Sequence, residues 1–536
     1  MVTKGLLMKA IPKFYGKVEG ESKRQNAKKV EVRTEIMYKA DLLKKTQQIL
    51  FKIIETLYLN DGPVSKQTLT QSFKLSPATL KRYLEDLQTD VQPLIDEKKV
   101  LFTIGTNTAE FELIQNFSLD DWVFKRYLKE SPKFQILMTL YEHGNVTNFR
   151  LQNELSMSEA SLYRAVKQLN KILKEFELSI HNGRVQGSEL QIRFFYYTLF
   201  QLTNYFPPKM SFDIDKFIDE LQESLHFYFH SEAVHRVDSW LIISQHRLES
   251  QSEMNVEIPR RVKELYKKNE LYQQVRSCYH EAFHMRSAEK EQFEAEALCV
   301  LLISMSIFNS KTNVARRFYD IYSSQKTQLA DFVEEMNHTI TGTLKVSRSQ
   351  WPFELMKLVF DICARPFCFK GNLEYMDEIY AKYYVHNFFT QEARTVVKEL
   401  MQIFKTHASV SLRSLIKQNE VYFQRRLLFV IRDFRHQQKK DIDIGVDTTF
   451  DYYISQLIID SVRQIFKKEI RVKVTYYQPG NAYDLVLTNY HEEPYDDTDY
   501  TYWLTNLGTK HDLELIKKIV ETNFYAQTPV HHLMLK

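Results

Sequence analysis

Apolar residues recur at helical spacing over the first part of the chain and are interrupted by short polar breaks. Residues 43–59 keep their apolar side chains on one face, which predicts an amphipathic helix. Asp61-Gly62-Pro63 ends that helix, because Gly and Pro do not readily continue it. Ser65 and Ser76 stand where N-caps are expected. They predict a short helix through Phe73 and a longer one that begins at Ser76-Pro77.

A hairpin is predicted after these helices. Residues 99–103 and 111–113 read as strands, and Gly105-Thr106-Asn107 lies between them as a turn. Helices followed by a two-stranded hairpin are the parts of a helix-turn-helix with a wing. The pattern of residues 39–115 therefore predicts one winged helix-turn-helix domain.

The same pattern is written a second time, 82 positions further along the chain. Helices are predicted over residues 134–143 and 148–155, a third is capped by Ser158, and His181-Asn182-Gly183-Arg184 predicts the second wing. A tandem duplication follows, with a second domain over 116–205. The identical pairs are Ile54/Ile136, Gly62/Gly144, Val64/Val146, Leu69/Leu151, Ser76/Ser158, Ala78/Ala160, Leu80/Leu162, Arg82/Arg164, Leu87/Leu169 and Gly105/Gly187.

The third helix of each copy carries the candidate chemistry. A recognition helix fits the major groove of DNA, where Arg can contact guanine and Lys can contact phosphate. Arg82 and Arg164 occupy the same place in the two copies. Such a face can also be a solvated surface or bind another protein, and the duplication favours DNA. The predicted DNA-contacting residues are Thr79, Lys81, Arg82, Ser161, Tyr163, Arg164, Lys167 and Lys171.

The rest of the chain divides in two. Residues 210–437 carry a run of amphipathic helices, among them 217–229 and 234–247, and divide into bundles over 210–325 and 326–437. From residue 438 to 525, strands alternate with helices, which predicts a small α/β domain with a largely parallel sheet. The expected fold class is therefore mainly α and multidomain.

Composition narrows the class of protein. The chain has 536 residues, enough for several domains, and 44% hydrophobic residues with only 13 Gly and 13 Pro suit a mostly helical fold. Its net charge of +4 does not by itself indicate nucleic acid, although residues 1–33 hold nine Lys or Arg against three Glu. Residues 1–38 are predicted to form a basic arm, which can follow DNA or be a solvated tail.

Other classes find little support in the sequence. Four Cys in so long a chain predict a reducing cytoplasm, and Cys363-x4-Cys368 lacks further ligands at metal spacing. The longest apolar run, residues 297–308, is too short to span a bilayer, and the N-terminus has no signal-peptide core. Catalytic motifs and a Gly-rich phosphate loop are missing from the sequence. We therefore expect no enzyme activity, no catalytic residues, no cofactor, no metal and no membrane partner.

A family resemblance adds to this interpretation. The segment LSIHNGRVQGSE at residues 178–189, followed by IRFF at 192–195, resembles the wing and following helix of the Mga/AtxA family of virulence regulators from Gram-positive bacteria. The order of two winged helices, two helical bundles and one small α/β domain is similar to that family over roughly residues 40–525.

The resemblance implies further identities and partners. The bundles would be two phosphotransferase-system regulation domains, and residues 438–525 would be an enzyme IIB-like domain that often mediates dimerisation. Family histidines accept phosphate from phosphotransferase proteins, and His235 is the best candidate, with His230 and His246 as alternatives. Thr448 stands near the place of the phosphate-accepting Cys, which predicts a domain retained for assembly. The implied partners are promoter DNA, a second copy of the chain and a phosphocarrier protein.

Two hypotheses remain open at the level of sequence. The first is a cytoplasmic DNA-binding transcriptional regulator, an activator that works as a homodimer and is tuned by histidine phosphorylation. The second is a phosphotransferase-linked signalling scaffold whose winged helices bind protein rather than DNA. Salt-dependent DNA affinity separates them, because phosphate contacts release counterions.

Overall fold

The computed structural model describes residues 36–60, 62–115, 117–208, 213–250, 254–267, 269–283, 287–308, 312–374, 378–437, 442–466, 472–489, 495, 498, 500–504 and 509–525. The basic arm predicted for residues 1–38 lies outside these ranges as far as residue 35. The chain forms two compact units. The first holds the described residues up to Phe388 together with Leu400–Phe423, and the second holds Phe389–Glu399 and the described residues from Gln424 onward.

Helices dominate the described residues. In chain order they are α1 (Lys39–Leu42), α2 (Lys45–Tyr58), α3 (Lys66–Phe73), α4 (Pro77–Asp96), α5 (Leu119–Val123), α6 (Pro132–His143), α7 (Asn148–Glu154), α8 (Glu159–Leu173), α9 (Glu189–Thr203), α10 (Ile214–Leu225), α11 (Ser231–Ser250), α12 (Arg260–Lys263), α13 (Glu270–Phe283), α14 (Ala288–Ser304), α15 (Asn313–Ser324), α16 (Gln328–Leu344), α17 (Phe353–Cys368), α18 (Glu378–Phe388), α19 (Gln391–His407), α20 (Val410–Gln418), α21 (Glu420–Gln437), α22 (Tyr452–Ile465) and α23 (Lys510–Ile519). Short 3-10 turns occupy Lys174–Phe176 and Arg348–Gln350, and π-helical turns occupy Phe124–Leu128 and Val520–Tyr525.

The described strands form three sheets. They are β1 (Val64–Ser65), β2 (Val100–Ile104), β3 (Thr108–Leu113), β4 (Ser179–His181), β5 (Arg184–Gln186), β6 (Ile442–Asp447), β7 (Val472–Tyr476), β8 (Leu485–Thr488) and β9 (Thr501–Trp503). The first sheet has the order β1-β3-β2, and the second is the β4-β5 hairpin; both are antiparallel. The third has the order β7-β6-β8-β9, and each described pairing in it is parallel.

The core of the first unit includes two helices that are buried on nearly all sides. Each residue of α9 from Glu189 to Phe200 is buried, and so is each residue of α14 from Phe293 to Ser304. A helix that is apolar around its whole circumference belongs in the interior of a large domain. The long apolar run noted in the sequence lies within and just after α14, and it is accounted for by this packing.

The second unit contains the parallel sheet with α22 and α23. Ile444 lies at the centre, opposite Val474 on β7 and Leu485 on β8. Apolar residues of both helices, Ile458 and Ile516 among them, complete this core. The central strands β6 and β8 are mostly buried and are rich in Ile, Val and Leu, as is usual for the inner strands of a parallel sheet.

Sequence periodicity located most of these elements and missed some boundaries. The helix predicted over residues 217–229 ends at Leu225, where His226 adopts a left-handed conformation with φ 50°. The helices α13, α15, α16, α18 and α20 had not been singled out. The six predicted domain segments are finer than the two compact units, and their boundaries stay predictions.

Candidate nucleic-acid interface

The first winged helix is built by local capping. Ser65 Oγ accepts a hydrogen bond from the Thr68 backbone N–H at 3.0 Å and starts α3. Ser76 starts α4, with Pro77 at the first helical position. The buried Leu80, together with Leu69, Leu84 and Leu87, fixes α4 against the domain core. The predicted caps and the β2-β3 wing are confirmed, and β1 adds a third strand to the wing.

The second winged helix repeats this construction. Thr147 Oγ1 caps α7, and Ser158 Oγ caps α8. Its hairpin turns through Asn182 at φ 48° and Gly183 at φ 70°, the left-handed pair that tight hairpins need. A Cβ at Gly183 would lie 1.6 Å from the carbonyl oxygen of Val146, so only Gly fits there. The second wing predicted from the sequence is therefore confirmed.

Asn170 joins the β4-β5 hairpin to α8, the predicted recognition helix. Its side chain on α8 accepts from the backbone N–H of Ile180 at 2.6 Å and donates to the Ile180 carbonyl at 3.1 Å. Wing and helix are thereby held in one register by two backbone contacts. The surface that α8 offers to a partner is therefore positioned by the hairpin.

The structure leaves six of the eight predicted DNA-contacting side chains exposed: Lys81, Arg82, Tyr163, Arg164, Lys167 and Lys171. The other two, Thr79 and Ser161, are half-buried. The Thr79 hydroxyl lies 2.8 Å from Ser76 Oγ, and the Ser161 hydroxyl accepts from Ser158 Oγ at 2.9 Å. Both hydroxyls thus contact the serine that caps their own helix.

The recognition helix of the first copy, α4, carries acidic residues that pair with basic ones. On α4, Lys81 lies 3.8 Å from Glu85 in an exposed i,i+4 pair. Asp90, one turn further along, accepts from Arg126 Nε at 3.0 Å and from the Tyr127 hydroxyl. Burial and the hydrogen bond to Asp90 raise the pKa of Tyr127 well above its ordinary value. The later part of α4 is thus bound to the segment Phe124–Leu128, which the predicted boundaries assign to the second winged helix.

Arg82 and Arg164 have the same place in the repeat but different contacts. The Arg82 guanidinium lies 5.2 Å from the ring centre of Tyr83, in a cation–π contact. Arg164 Nε donates to the Ala160 carbonyl at 3.1 Å. Both side chains remain exposed, and both retain further guanidinium N–H groups that can reach phosphate or guanine.

Sequence reasoning missed Phe149. This residue lies in the first turn of α7 and is 73% exposed, next to Arg150, whose Nε donates to Glu154 at 2.5 Å. The residue in the corresponding place of the first copy is Gln67. The offset of the repeat would have drawn attention to this difference, whereas nothing in the local sequence indicates the exposure of the ring.

The candidate phosphorylation sites lie on or beside α11. His230 and His235 are exposed at its beginning. His246 is half-buried and its ring stacks on Tyr141 of α6, with centres 4.2 Å apart. Burial, together with Arg247 and His143, lowers the pKa of His246 below its ordinary value. The geometry therefore favours His235 and His230 over His246 as groups that a second protein can reach.

A buried ion network joins α9, which directly follows the second wing, to the helical region. Arg193 donates to both carboxylate oxygens of Glu294 on α14 at 2.6 Å each and to Glu189 at 3.1 Å. Arg247 on α11 donates to both oxygens of Glu189, at 3.0 and 2.7 Å. Burial alone would raise the pKa of Glu189, but the two arginines lower it below its ordinary value. The second winged helix is thereby tied to two helices of the first predicted bundle.

A loop after α17 makes a second connection to the same winged helix. Phe369 stacks on Phe194 of α9 with ring centres 4.2 Å apart. Gln191 exchanges two hydrogen bonds with the backbone of Lys370, at 2.9 and 3.2 Å. Gly371 allows close approach, since a Cβ there would lie 2.4 Å from the Phe176 ring.

Two searches of the described residues concern other chemistry. They contain no group of three or more His, Cys, Asp or Glu side chains arranged to hold a metal ion. None of the described helices combines the length and the apolar character that crossing a membrane requires. The four Cys are free thiols.

Comparison with known proteins supports the second winged helix most directly. Residues 115–200 match the family described as the Mga helix-turn-helix domain. This range spans α5 to α8, the β4-β5 wing and most of α9. A protein of Streptococcus pneumoniae serotype 4 described as "Putative trans-acting regulator" is 24% identical over 171 residues, which is 31% of this chain and 33% of that protein. The chain therefore matches about a third of that relative's length.

Proposed function

We propose that the chain is a DNA-binding transcriptional regulator of the Mga family, because residues 115–200 match the Mga helix-turn-helix domain. The main observation in its support is that the chain contains another winged helix of the same construction. Each presents an exposed recognition helix with an Arg at the same place, Arg82 or Arg164. Arg on a recognition helix can contact guanine or phosphate in the major groove.

The test is a salt titration of binding to promoter-sized duplex DNA. The wild-type protein is compared with a variant that carries Arg82→Ala and Arg164→Ala. We expect the affinity of the wild type to fall steeply with salt concentration. The variant should show a shallower slope, because it makes fewer phosphate contacts and its binding therefore releases fewer counterions. A control variant with Arg260→Ala and Arg317→Ala removes the same charge from surface ion pairs far along the chain.

The outcomes separate the proposals. Equal loss of affinity in both variants would mean that overall charge, and not the recognition helices, governs binding. A folded wild-type protein that binds no duplex at low salt, but binds a phosphocarrier protein, would favour the scaffold hypothesis. The proposal further places the regulator in the cytoplasm, as an activator of promoters.

We also propose control by histidine phosphorylation from a phosphocarrier protein, with His235 as the acceptor. Its support is the exposure of His235 near the start of α11, the helix whose Arg247, towards the other end, joins the buried network with Glu189. Phosphate would add negative charge and acceptor oxygens at that place. Acid-labile phosphate that is transferred to the wild type and to His338→Ala, but not to His235→Ala, is the expected result.

Homodimerisation through the C-terminal domain is the remaining part of the proposal. On α22, Tyr452, Tyr453 and Leu457 are 64%, 79% and 66% exposed. A contiguous exposed apolar face of this kind suits an interface. Tyr453→Glu with Leu457→Glu is expected to convert a dimer to a monomer in sedimentation, whereas Tyr500→Glu, on the same domain, is not. A monomeric wild-type protein would contradict this part alone.

A further inference from the structure

The two recognition helices have the same N-caps and the same buried leucines, and we call this shared arrangement the frame of the helix. Each begins at a capping serine, Ser76 or Ser158, which accepts from the backbone N–H three residues later at 3.1 and 3.3 Å. Leu80 and Leu162 are buried at matching places behind these caps, and so are Leu87 and Leu169. Because the caps and the buried leucines set the rotation of a helix, residues 82 positions apart face outward in the same way.

At several of these matching outward places the side chains differ, although Arg82 and Arg164 are identical. Lys81 in the first copy corresponds to Tyr163 in the second, and both are exposed. The Lys81 side chain is 75% exposed, while Tyr163 is 68% exposed. One turn further along, Glu85 corresponds to Lys167. An identical frame therefore presents different hydrogen-bonding and apolar groups.

A second aromatic difference lies on the helix that precedes the recognition helix. Phe149, in the first turn of α7, is 73% exposed, and Gln67 occupies its place in α3. The second copy thus has two exposed aromatic side chains where the first copy has two polar ones. Both rings are largely exposed, so both are available to a partner.

We infer that the two winged helices read different base sequences, that Lys81 and Tyr163 set this difference, and that the complete DNA site is asymmetric. The inference rests on the proposed function and adds which base each copy prefers in the DNA. Lys on a recognition helix pairs with the O6 and N7 acceptors of guanine, whereas an aromatic ring contacts the C5-methyl group of thymine. The first copy therefore favours a guanine and the second a thymine at the corresponding base.

The experiment is selection of bound duplexes from a library with a long random centre, using the full chain. We expect the wild type to select two different half-sites. Tyr163→Phe keeps the ring and should therefore retain the preference for thymine over guanine, because the ring is the group that contacts the C5-methyl group. Tyr163→Lys should lower the preference for thymine in one half-site by about tenfold, in favour of guanine, and leave the other half-site unchanged. Lys81→Tyr should make the reverse change in the other half-site.

Gln168→Lys is the matched control. It adds the same charge as Tyr163→Lys on an exposed position of α8, and it should raise affinity without changing the selected bases. Two identical half-sites, or a Tyr163→Lys profile equal to that of Gln168→Lys, would overturn the inference while leaving DNA binding in place. A wild-type protein that retains no duplex would overturn the proposed function and this inference together. Thermal unfolding midpoints of the variants, all at exposed positions, verify that folding is intact.

Discussion

Replacing Arg193 with Met should strongly destabilise the first unit. The Arg193 side chain is fully buried on α9, and its guanidinium makes hydrogen bonds to Glu294, Glu189 and Ser244. Met has a similar length and no charge, so the substitution removes the cation without opening a large cavity. Both oxygens of Glu294 then lose the partner that offsets their burial.

The magnitude follows from what is left behind. Removing one member of a buried ion pair costs about 3–5 kcal/mol, because the remaining charge stays buried without compensation. Glu189 keeps its two hydrogen bonds from Arg247, so most of the loss arises at Glu294. Adding Glu294→Leu to Arg193→Met removes that charge as well. Replacement of a whole pair by apolar residues is often neutral, so the double variant should recover about 2 kcal/mol or more.

The assay is unfolding in urea, monitored by hydrogen exchange of the amides in α9 and α11. A local probe is needed because a chain of several domains does not unfold in one step. Arg193→Met should lower the unfolding free energy of these helices, and the double variant should restore part of it. A loss below about 1 kcal/mol, or a double variant less stable than the single one, would refute the conclusion that the loss arises from an unpaired, buried Glu294 carboxylate.

Three further outcomes are expected. Gly183→Ala should destabilise the second wing by about 2 kcal/mol or more, since its Cβ would overlap the Val146 carbonyl, and thermal unfolding measures this. Burial raises the pKa of Glu175 to about 8. Its carboxyl is neutral when folded and ionised when unfolded, so stability should fall by roughly 3–5 kcal/mol as pH rises from about 4.5 to about 8. Glu175→Gln should remove this dependence in pH-dependent unfolding. Ser158→Ala should cost about 1 kcal/mol through loss of the cap on α8, while Ser158→Asp retains it.

The sequence was most informative where structure is decided locally. Ser76 before Pro77 predicted the start of α4, and Asn182-Gly183 predicted the turn of the second wing, because capping and hairpin turns depend on a few neighbouring residues. The alternation of strands and helices over residues 438–525 likewise predicts a largely parallel sheet.

Long-range pairing was beyond the sequence. Arg193 and Glu294 are buried together although they are 101 positions apart. The sequence around each of them shows only a charged residue within a largely apolar helix and does not indicate its partner. The stacking of Phe369 on Phe194 depends in the same way on where α17 ends relative to α9. The exposure of Phe149 was missed for the opposite reason, since an aromatic residue at helical spacing is expected to face a core.

The duplication explains why the caps, turns and buried residues of the two winged helices were easier to predict than their exposed surfaces. Identical residues in the two copies are mostly those that cap, turn or pack, such as Ser76/Ser158 and Leu80/Leu162, and these define a fold without naming its ligand. Arg82/Arg164 is an exception, and even this identical pair has unequal surroundings. Tyr83 lies beside Arg82 and holds its guanidinium 5.2 Å from the ring centre, whereas the second copy has Ala165 at that position. The same residue is therefore oriented by an aromatic ring in one copy and by a backbone carbonyl in the other, so identity within the repeat does not imply identical contacts with DNA.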